Sequence, residues 1–437
     1  MPQNPHQNKL NGSANTSQVA IVHDYFNQFG GAEKVVEVWL ELFPEATLFT
    51  SIFIPQHFTS SPAITKAWQE GRVRTSFLQA FFVKGKGSEA TPRFTLKFFK
   101  HLFWLFPIAM SFLTVSDYLT VLISSTYCAK NVRIIPTHFN SVLSALAPTE
   151  SSDDEPQKPF SLVHYCHSPT RFLHGLVTET DHASLGIAYR ILIPFFSWWL
   201  KIIDLRAVKN LNLLGCVWLA NSEFIRTTIK QVYGTQSTVV FPPIELDRFL
   251  SLNRQPHYAS PFYLCHGRIS FHKRIDLAIL ACLKLRKKLK ISGSSGLPHE
   301  MEVLKKIVSD AEQKDPTLSG LIQFLGRTND AQLAQLTQEC RAFLFPGKED
   351  FGIAPIEMLA AGVPLIAYQA GGALEYVVGR KNGVFFADQT VESLTTAIQL
   401  FETIPTWNTA EIKNSSLTFS RKAHEDGIIR AIDVNDN

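Results

Sequence analysis

Two glutamates, Glu349 and Glu357, stand eight residues apart in FPGKEDFGIAPIEMLAAGVPLIAY, which runs from 345 to 368. The apolar RAFLFPG fits a strand, and APIEMLAAG after the glycine fits a helix. Pro355 is tolerable only in a first turn, so the helix is predicted to start at Gly352 or Ile353. Gly362 closes it and Pro364 prevents its continuation. A helix start of this kind presents free N–H groups and a partial positive charge to an anion or a hydroxyl, and Gly352 allows close approach. Glu349 lies just before it and Glu357 about one turn in, where carboxylates can accept hydrogen bonds from a polyhydroxylated ligand. Taken singly, Glu349 would be a solvated loop charge and Glu357 a partner of the helix dipole. The intact block is what points to a site.

Three further groupings carry chemistry. In HGRISFHKRID, Arg268 and Lys273 lie five apart in a loop after a strand. A guanidinium for two-pronged contact and an ammonium as a point charge suit a diphosphate; a pair of surface charges is the alternative. Gly30 and Gly31 of GGAEK fall in the first strand-to-helix loop, where they could let a phosphate approach the backbone. In HYCHSPTRFLH, His167 follows an apolar strand, is held by Pro169, and can donate to a substrate hydroxyl. His164 is expected to pack inside. The pair His23-Asp24 lacks the further His and Asp spacing of a metal phosphohydrolase and is expected to shape the first loop. That loop, HDYFNQFGGAE, also lacks the Gly-x-Gly-x-x-Gly of a nicotinamide-dependent oxidoreductase.

The elements that must position these residues alternate. QVAIV, YLTVLISS, FSLVHYC and GCVWLANS read as buried strands, with helices after the first and the last. TVVFPPIELDRF then ends a strand in a proline pair, and the polar LSLNRQPHYASP marks a boundary. The rhythm restarts with FYLCHGRI, LKISGSSG, IQFLGRTND, AFLFPG and PLIAYQAGG as strands and loops separated by helices. The expected organisation is a disordered tail over 1–17 and an α/β, Rossmann-like domain over 18–245. A second such domain over 246–415 follows, and then a C-terminal helix over 416–437 that packs back toward the first. Two such domains would form a cleft at their strand C-terminal ends.

With 437 residues, 45% hydrophobic and 18% charged, the chain has enough apolar matter for two cores. The tail has no basic start and apolar middle of a signal peptide. The six cysteines occur singly, without metal or disulfide spacing, so the chain reads as cytoplasmic and reducing. Net charge is only +4, but between Lys66 and His101 eight Lys or Arg face two Glu. The aromatic run RFTLKFFKHLFWLFPIAMSFL overlaps that region, and RILIPFFSWWLKIID has similar character. Both are too short to span a bilayer. The first suits a basic helix lying on the inner face of the cytoplasmic membrane; the alternative is a core helix with a solvated basic edge.

Together these motifs, spread over residues 18 to 430, resemble the retaining glycosyltransferases of family 4, which have the GT-B fold. EDFGIAPIE stands where that family has an acid, a Phe-Gly and a second Glu. GRISFHKRIDLAI looks like its phosphate-binding loop and GGAEKVVE like its first glycine loop. YCHSPTRFL, LANSEFIRTTIKQVYG and VVFPPIELDRF are similar to a branch rich in mannosyltransferases of bacterial polysaccharide and lipid-linked glycan assembly. By this resemblance Arg268 and Lys273 hold the donor diphosphate, and Glu357 holds the ribose. Glu349, with the backbone at Phe351, Gly352 and Ile353, holds the sugar. His167 contacts a sugar hydroxyl, and Gly30, Gly31, Gly267, Gly326 and Arg327 complete the donor site. The resemblance implies GDP-mannose as donor, with UDP-sugars open, and a glycan or polyprenyl-linked acceptor. It implies no metal, no cofactor beyond the donor, and no nucleic-acid partner. The chain departs from the branch at Tyr127, where His is frequent, and at His174 and Gly175, where an aromatic and an Asp are usual. These last two are expected on the acceptor side.

Overall fold

The computed structural model describes residues 18–85, 91–93, 102–136, 160–176, 187–254, 261–296 and 298–433. The tail expected over 1–17 and the polar, proline-bounded stretch PTESSDDEPQKP, which the sequence suggests is an exposed loop, lie outside the described residues, as do Lys97 and Lys100 of the aromatic run. The described chain divides into two compact α/β units.

The first unit is built on seven parallel strands: β1 (Val19–His23), β2 (Thr47–Thr50), β3 (Val73–Thr75), β4 (Thr120–Ser125), β5 (Ser161–Cys166), β6 (Val217–Ala220) and β7 (Thr238–Val239). Their spatial order is β7-β6-β5-β4-β1-β2-β3. The central strands are covered on both faces, which is why VAIVH and SLVHYC show no polar alternation and are buried throughout. Helix α1 (Gly31–Leu42) follows β1, with Gly30 as its N-cap. It buries Val35, Val36, Trp39 and Leu40, the spacing of one helical face, in a core shared with Ile21, Leu48, Leu122 and Tyr165. Helix α2 (Ile187–Leu213) contains the whole of RILIPFFSWWLKIID. Among the described residues no helix is long and apolar enough to cross a membrane. Of the first aromatic run, the described part forms a 3-10 turn over 102–105 and a short helix, Phe106–Ser111, which buries Phe106, Pro107, Ala109 and Met110.

The second unit holds six parallel strands: β8 (Phe262–His266), β9 (Lys288–Ser292), β10 (Ile322–Gly326), β11 (Cys340–Phe345), β12 (Leu365–Tyr368) and β13 (Gly383–Phe386). Their order is β10-β9-β8-β11-β12-β13. Helix α3 (Ile275–Lys284) follows β8, and helix α4 (Ile353–Ala360) follows β11.

The division between the units lies at Phe241 and Pro242 rather than at 245 and 246, and residues 222–224 group with the second unit. The Val240 N–H is still tied to the Ala220 carbonyl at 2.9 Å. Beyond Phe241 the pair Pro242-Pro243 has no N–H with which to continue a ladder. The C-terminal helix, Arg421–Asp433, begins later than the expected 416, residues 434–437 lying outside the described residues, and the second unit continues to Ala423. From His424 onward the chain belongs to the first unit. The His424 ring stacks on Trp39, accepts from its Nε1 at 3.1 Å, and meets the Phe241 carbonyl through Nδ1 at 2.7 Å.

The interior of the first unit also contains an ion pair that composition does not announce. Lys130 Nζ lies 2.8 Å from Asp204 Oδ1, both side chains almost wholly enclosed. Asp204 also accepts from Thr170 Oγ1 at 2.9 Å and meets His174 Nε2 at 3.0 Å. His174, expected on the acceptor side, is thus turned into this cluster. Burial alone would raise the Asp204 carboxyl, but the Lys130 charge and these hydrogen bonds hold it well below the usual carboxylate range. Its contribution to stability is therefore fully present above about pH 4, the ordinary value, and is lost progressively as pH falls from there toward the depressed folded-state value. We expect Lys130→Met, which strands the Asp204 charge, to cost about 3–5 kcal/mol in urea denaturation at pH 7. The double change with Asp204→Leu should recover most of that loss; no recovery would mean the pair contributes through packing alone.

Candidate active site

Because every strand of the second unit is parallel, the loops after them leave from one edge. His266 ends β8 and Ser292 ends β9; Nδ1 of the first meets Oγ of the second at 3.0 Å, and that hydroxyl meets Thr328 Oγ1 at 2.7 Å. The loops bearing Gly267 and Gly326 are tied through Gly293, whose N–H donates to the Gly326 carbonyl at 2.7 Å. Gly293 has φ +142, and a Cβ there would fall 1.8 Å from the Gly267 carbonyl oxygen, so only glycine fits. Burial, and then the charges of Lys273 and Arg248, push His266 down to about 4, leaving it neutral at pH 7.

Lys273 closes a 3-10 turn, Phe271–Lys273, and its Nζ lies 2.5 Å from Glu349 Oε1. The structure thus joins two residues taken from separate motifs. The turn itself is anchored by the buried Glu300, which accepts from the Phe271 N–H at 3.3 Å and from Ser295 Oγ at 2.5 Å. Arg268 and Arg327 are exposed, without a hydrogen-bond or ion-pair partner among the described residues.

Helix α4 begins at Ile353, as Pro355 requires, with Gly352 as its N-cap at φ +91. A Cβ on Gly352 would lie 2.8 Å from Phe345 Cζ and 2.9 Å from Tyr376 Oη. That hydroxyl donates to the Phe351 carbonyl at 2.9 Å, fixing the backbone ahead of the helix. Glu357, one turn in, meets Arg248 through Oε1 at 3.1 Å, and Arg248 also reaches Asp330 at 3.1 Å. Burial raises the Glu357 carboxyl above its ordinary value, with the Arg248 charge opposing. Arg248 was not singled out in the sequence, although it sits in IELDRF beside the proline pair.

The first unit gathers a second set of polar residues at its strand ends. Asp24, fully buried after β1, accepts from Thr126 N and Ala129 N at 2.7 Å and from Tyr127 N at 3.0 Å. It also accepts from the Ser125 and Thr126 hydroxyls, both at 2.9 Å. Burial raises its carboxyl, but His23, the Ala129 and Thr126 N–H groups and Lys130 bring it below the usual value. Asp24 is therefore a fixed anionic clasp for the loop after β4. Tyr127 stacks on Phe103 at 4.1 Å and donates to the Phe103 carbonyl. His167, after β5, is buried, its carbonyl held by Asn221 Nδ2 at 2.8 Å. Desolvation, then the neighbouring His23, push its ring down to about 3. His164 is fully buried, as expected, against Trp218, with neither ring nitrogen paired among the described residues. Gly30 donates through its N–H to Glu33 Oε2 at 2.9 Å, and Gly31 is already helical. Among the described residues no group of three His, Cys, Asp or Glu side chains is placed to hold a metal.

Because Gly352 combines positive φ with two near contacts, Gly352→Ala should lower stability by about 1–3 kcal/mol in urea denaturation. An unchanged denaturation midpoint would show that the loop can move aside.

The family model described as "Glycosyl transferases group 1" matches residues 253–416. The chain is 26% identical to the mouse (Mus musculus) "Alpha-1,3/1,6-mannosyltransferase ALG2" over 51% of its length and 55% of that protein's. It is also 26% identical to the Dictyostelium discoideum ALG2, over 54% of this chain and 60% of that protein. The aligned chain thus spans little more than half the length of these relatives. Anabaena Alr3699/HepE, solved in complex with UDP, superposes with a TM-score of 0.59 at 16% identity, covering 95% of this chain and 100% of that one. The fold is accordingly GT-B. The stretch that contains Arg268, Lys273, Glu349 and Glu357 is the one that matches the group 1 glycosyl transferases.

Proposed function

We propose that the protein is a retaining glycosyltransferase that moves mannose from GDP-mannose to a glycan or polyprenyl-linked acceptor in cell-surface polysaccharide assembly. The observation that carries this reading is the Lys273–Glu349 pair at 2.5 Å, with Glu357 one turn into the adjoining helix, inside the matched segment. Lys273 and Arg268 neutralise the diphosphate that leaves, and the N-terminus of α4 adds partial positive charge. The reaction needs no metal in this scheme, because these groups supply the charge. Glu349 and the backbone of Phe351, Gly352 and Ile353 hold the sugar, and Glu357 holds the ribose hydroxyls. Gly30, Gly31, Gly267, Gly326 and Arg327 border the donor, while His167 donates to a sugar hydroxyl. The acceptor oxygen attacks on the face the diphosphate leaves, through an oxocarbenium-like transition state, and a donor phosphate oxygen takes its proton. The mannose assignment draws on the two mannosyltransferase relatives.

Contact with the inner membrane face is part of the proposal. Phe77, Phe81 and Phe112 are exposed, the first and last with ring centroids 5.9 Å apart, and Arg74, Lys84 and Arg93 are exposed in the same region. Exposed aromatics beside cations suit an anionic lipid interface. The protein should sediment with anionic vesicles at low salt and be released as ionic strength rises. No sedimentation at low salt would remove membrane contact from the proposal.

The donor is tested by thermal shift with GDP, UDP, ADP, GDP-mannose and UDP-glucose, without added metal. GDP and GDP-mannose should raise the melting temperature of the wild type, equivalent to about 2.7 kcal/mol at a hundredfold excess over Kd. Glu357→Ala should weaken that binding by about tenfold, the weight of one charged hydrogen bond. A response to UDP species alone would keep the enzyme class and replace the donor. No response to any nucleotide would leave a catalytically silent scaffold.

A further inference from the structure

Parallel register places His23 of β1 directly beside Ser124 of β4, and Ser124 beside Tyr165 of β5, two residues before His167. The three polar side chains meet at one buried hydroxyl. His23 Nδ1 lies 3.1 Å from both the carbonyl oxygen and the hydroxyl of Ser124. The same hydroxyl lies 2.8 Å from His167 Nε2. Beyond His23, Nε2 faces Glu33 Oε1 at 3.7 Å, and the other oxygen of Glu33 is held by the Gly30 N–H. His23, Glu33 and Ser124 are buried, and His167 nearly so.

The contact of His23 Nδ1 with a carbonyl oxygen favours one arrangement of protons along this chain. Because a carbonyl oxygen only accepts, we assign the hydrogen to His23 Nδ1, which then donates to Ser124. That interaction occupies the serine hydroxyl as an acceptor, and its own hydrogen must then go elsewhere. The remaining acceptor within reach among the described residues is His167 Nε2. His167 is kept neutral by burial, so one of its two nitrogens bears a hydrogen. With Nε2 accepting, that hydrogen sits on Nδ1, which has no hydrogen-bond partner among the described residues.

We propose that Ser124, itself oriented by His23 and Glu33, is a positioning residue that fixes His167 as the Nδ1–H tautomer and so makes it a hydrogen-bond donor. Under the glycosyltransferase reading above, on which its functional part rests, this is what lets His167 donate to the sugar hydroxyl. A serine that merely packed would leave the tautomer free, and the molecules with the hydrogen on Nε2 would offer a lone pair at Nδ1 instead.

The test reads the tautomer directly. The full chain is labelled with 15N-histidine, long-range proton–nitrogen correlations are recorded, and His167 is assigned by its loss in His167→Gln. The wild type should show His167 protonated on Nδ1 and bare on Nε2. Ser124→Ala should convert this to a mixture, and Ser124→Thr, which keeps the hydroxyl, should restore it. If GDP-mannose is turned over, Ser124→Ala should lower kcat by about tenfold with a smaller change in KM, and Ser124→Thr should recover the rate. Protonation on Nε2 in the wild type overturns the proposal without any variant having to fold. So does an unchanged tautomer in a folded Ser124→Ala. If the tautomer is as expected but no nucleotide sugar is turned over, the glycosyltransferase reading fails and the positioning role of Ser124 stands.

Discussion

A parallel sheet obliges every loop that follows a strand to leave from the same edge, and the candidate chemistry of both units depends on that constraint. Side chains that the sequence scatters over a hundred positions are brought together with no dedicated device. His23, Ser124 and His167 meet because β1, β4 and β5 run in register. His266, Ser292 and Thr328 form their chain for the same reason on the second sheet. The cost is a polar rim on an apolar slab, and hydrogen bonds and ion pairs among the rim side chains offset part of it. Asp24, which accepts five hydrogen bonds from backbone and hydroxyl donors, is the clearest case.

Electrostatics divides the two rims. In the second unit the cations Lys273 and Arg248 each stand against a carboxylate, Glu349 and Glu357. Both pairs are partly accessible, so an incoming anion can compete for either cation. In the first unit the strong pair, Lys130 with Asp204, is sealed inside and linked to His174. A sealed pair of that kind fixes geometry and offers nothing to a ligand. The two units therefore use the same residue types for opposite ends, and solvent access decides which.

The parts of this arrangement legible in the sequence were those written locally. The apolar runs around Ile21, Leu122 and Val163 marked strands, and Pro355 with Gly362 bounded helix α4 to within a residue. The strands Thr47–Thr50 and Gly383–Phe386 were not read from the sequence. Glu349 and Lys273 were each identified, but their pairing spans 76 positions and could not be foreseen. Arg248 escaped notice because its partner Glu357 lies 109 residues away and nothing near Arg248 is unusual. Ser124 was hidden for the same reason, being one hydroxyl in an ordinary ISS. His174 was read by its place in a motif, whereas its ring answers to Asp204, thirty residues on.

The Trp39–His424 stack has a consequence for how the chain is made. A ribosome delivers residues in order, and domains generally fold as units when their last segment emerges. The second unit is complete at Ala423, whereas the first waits for the stretch that begins at His424. During synthesis the earlier-made sheet must therefore hold its apolar face around Trp39 short of that helix until the later-made sheet has left the tunnel. The half translated first is the half finished last.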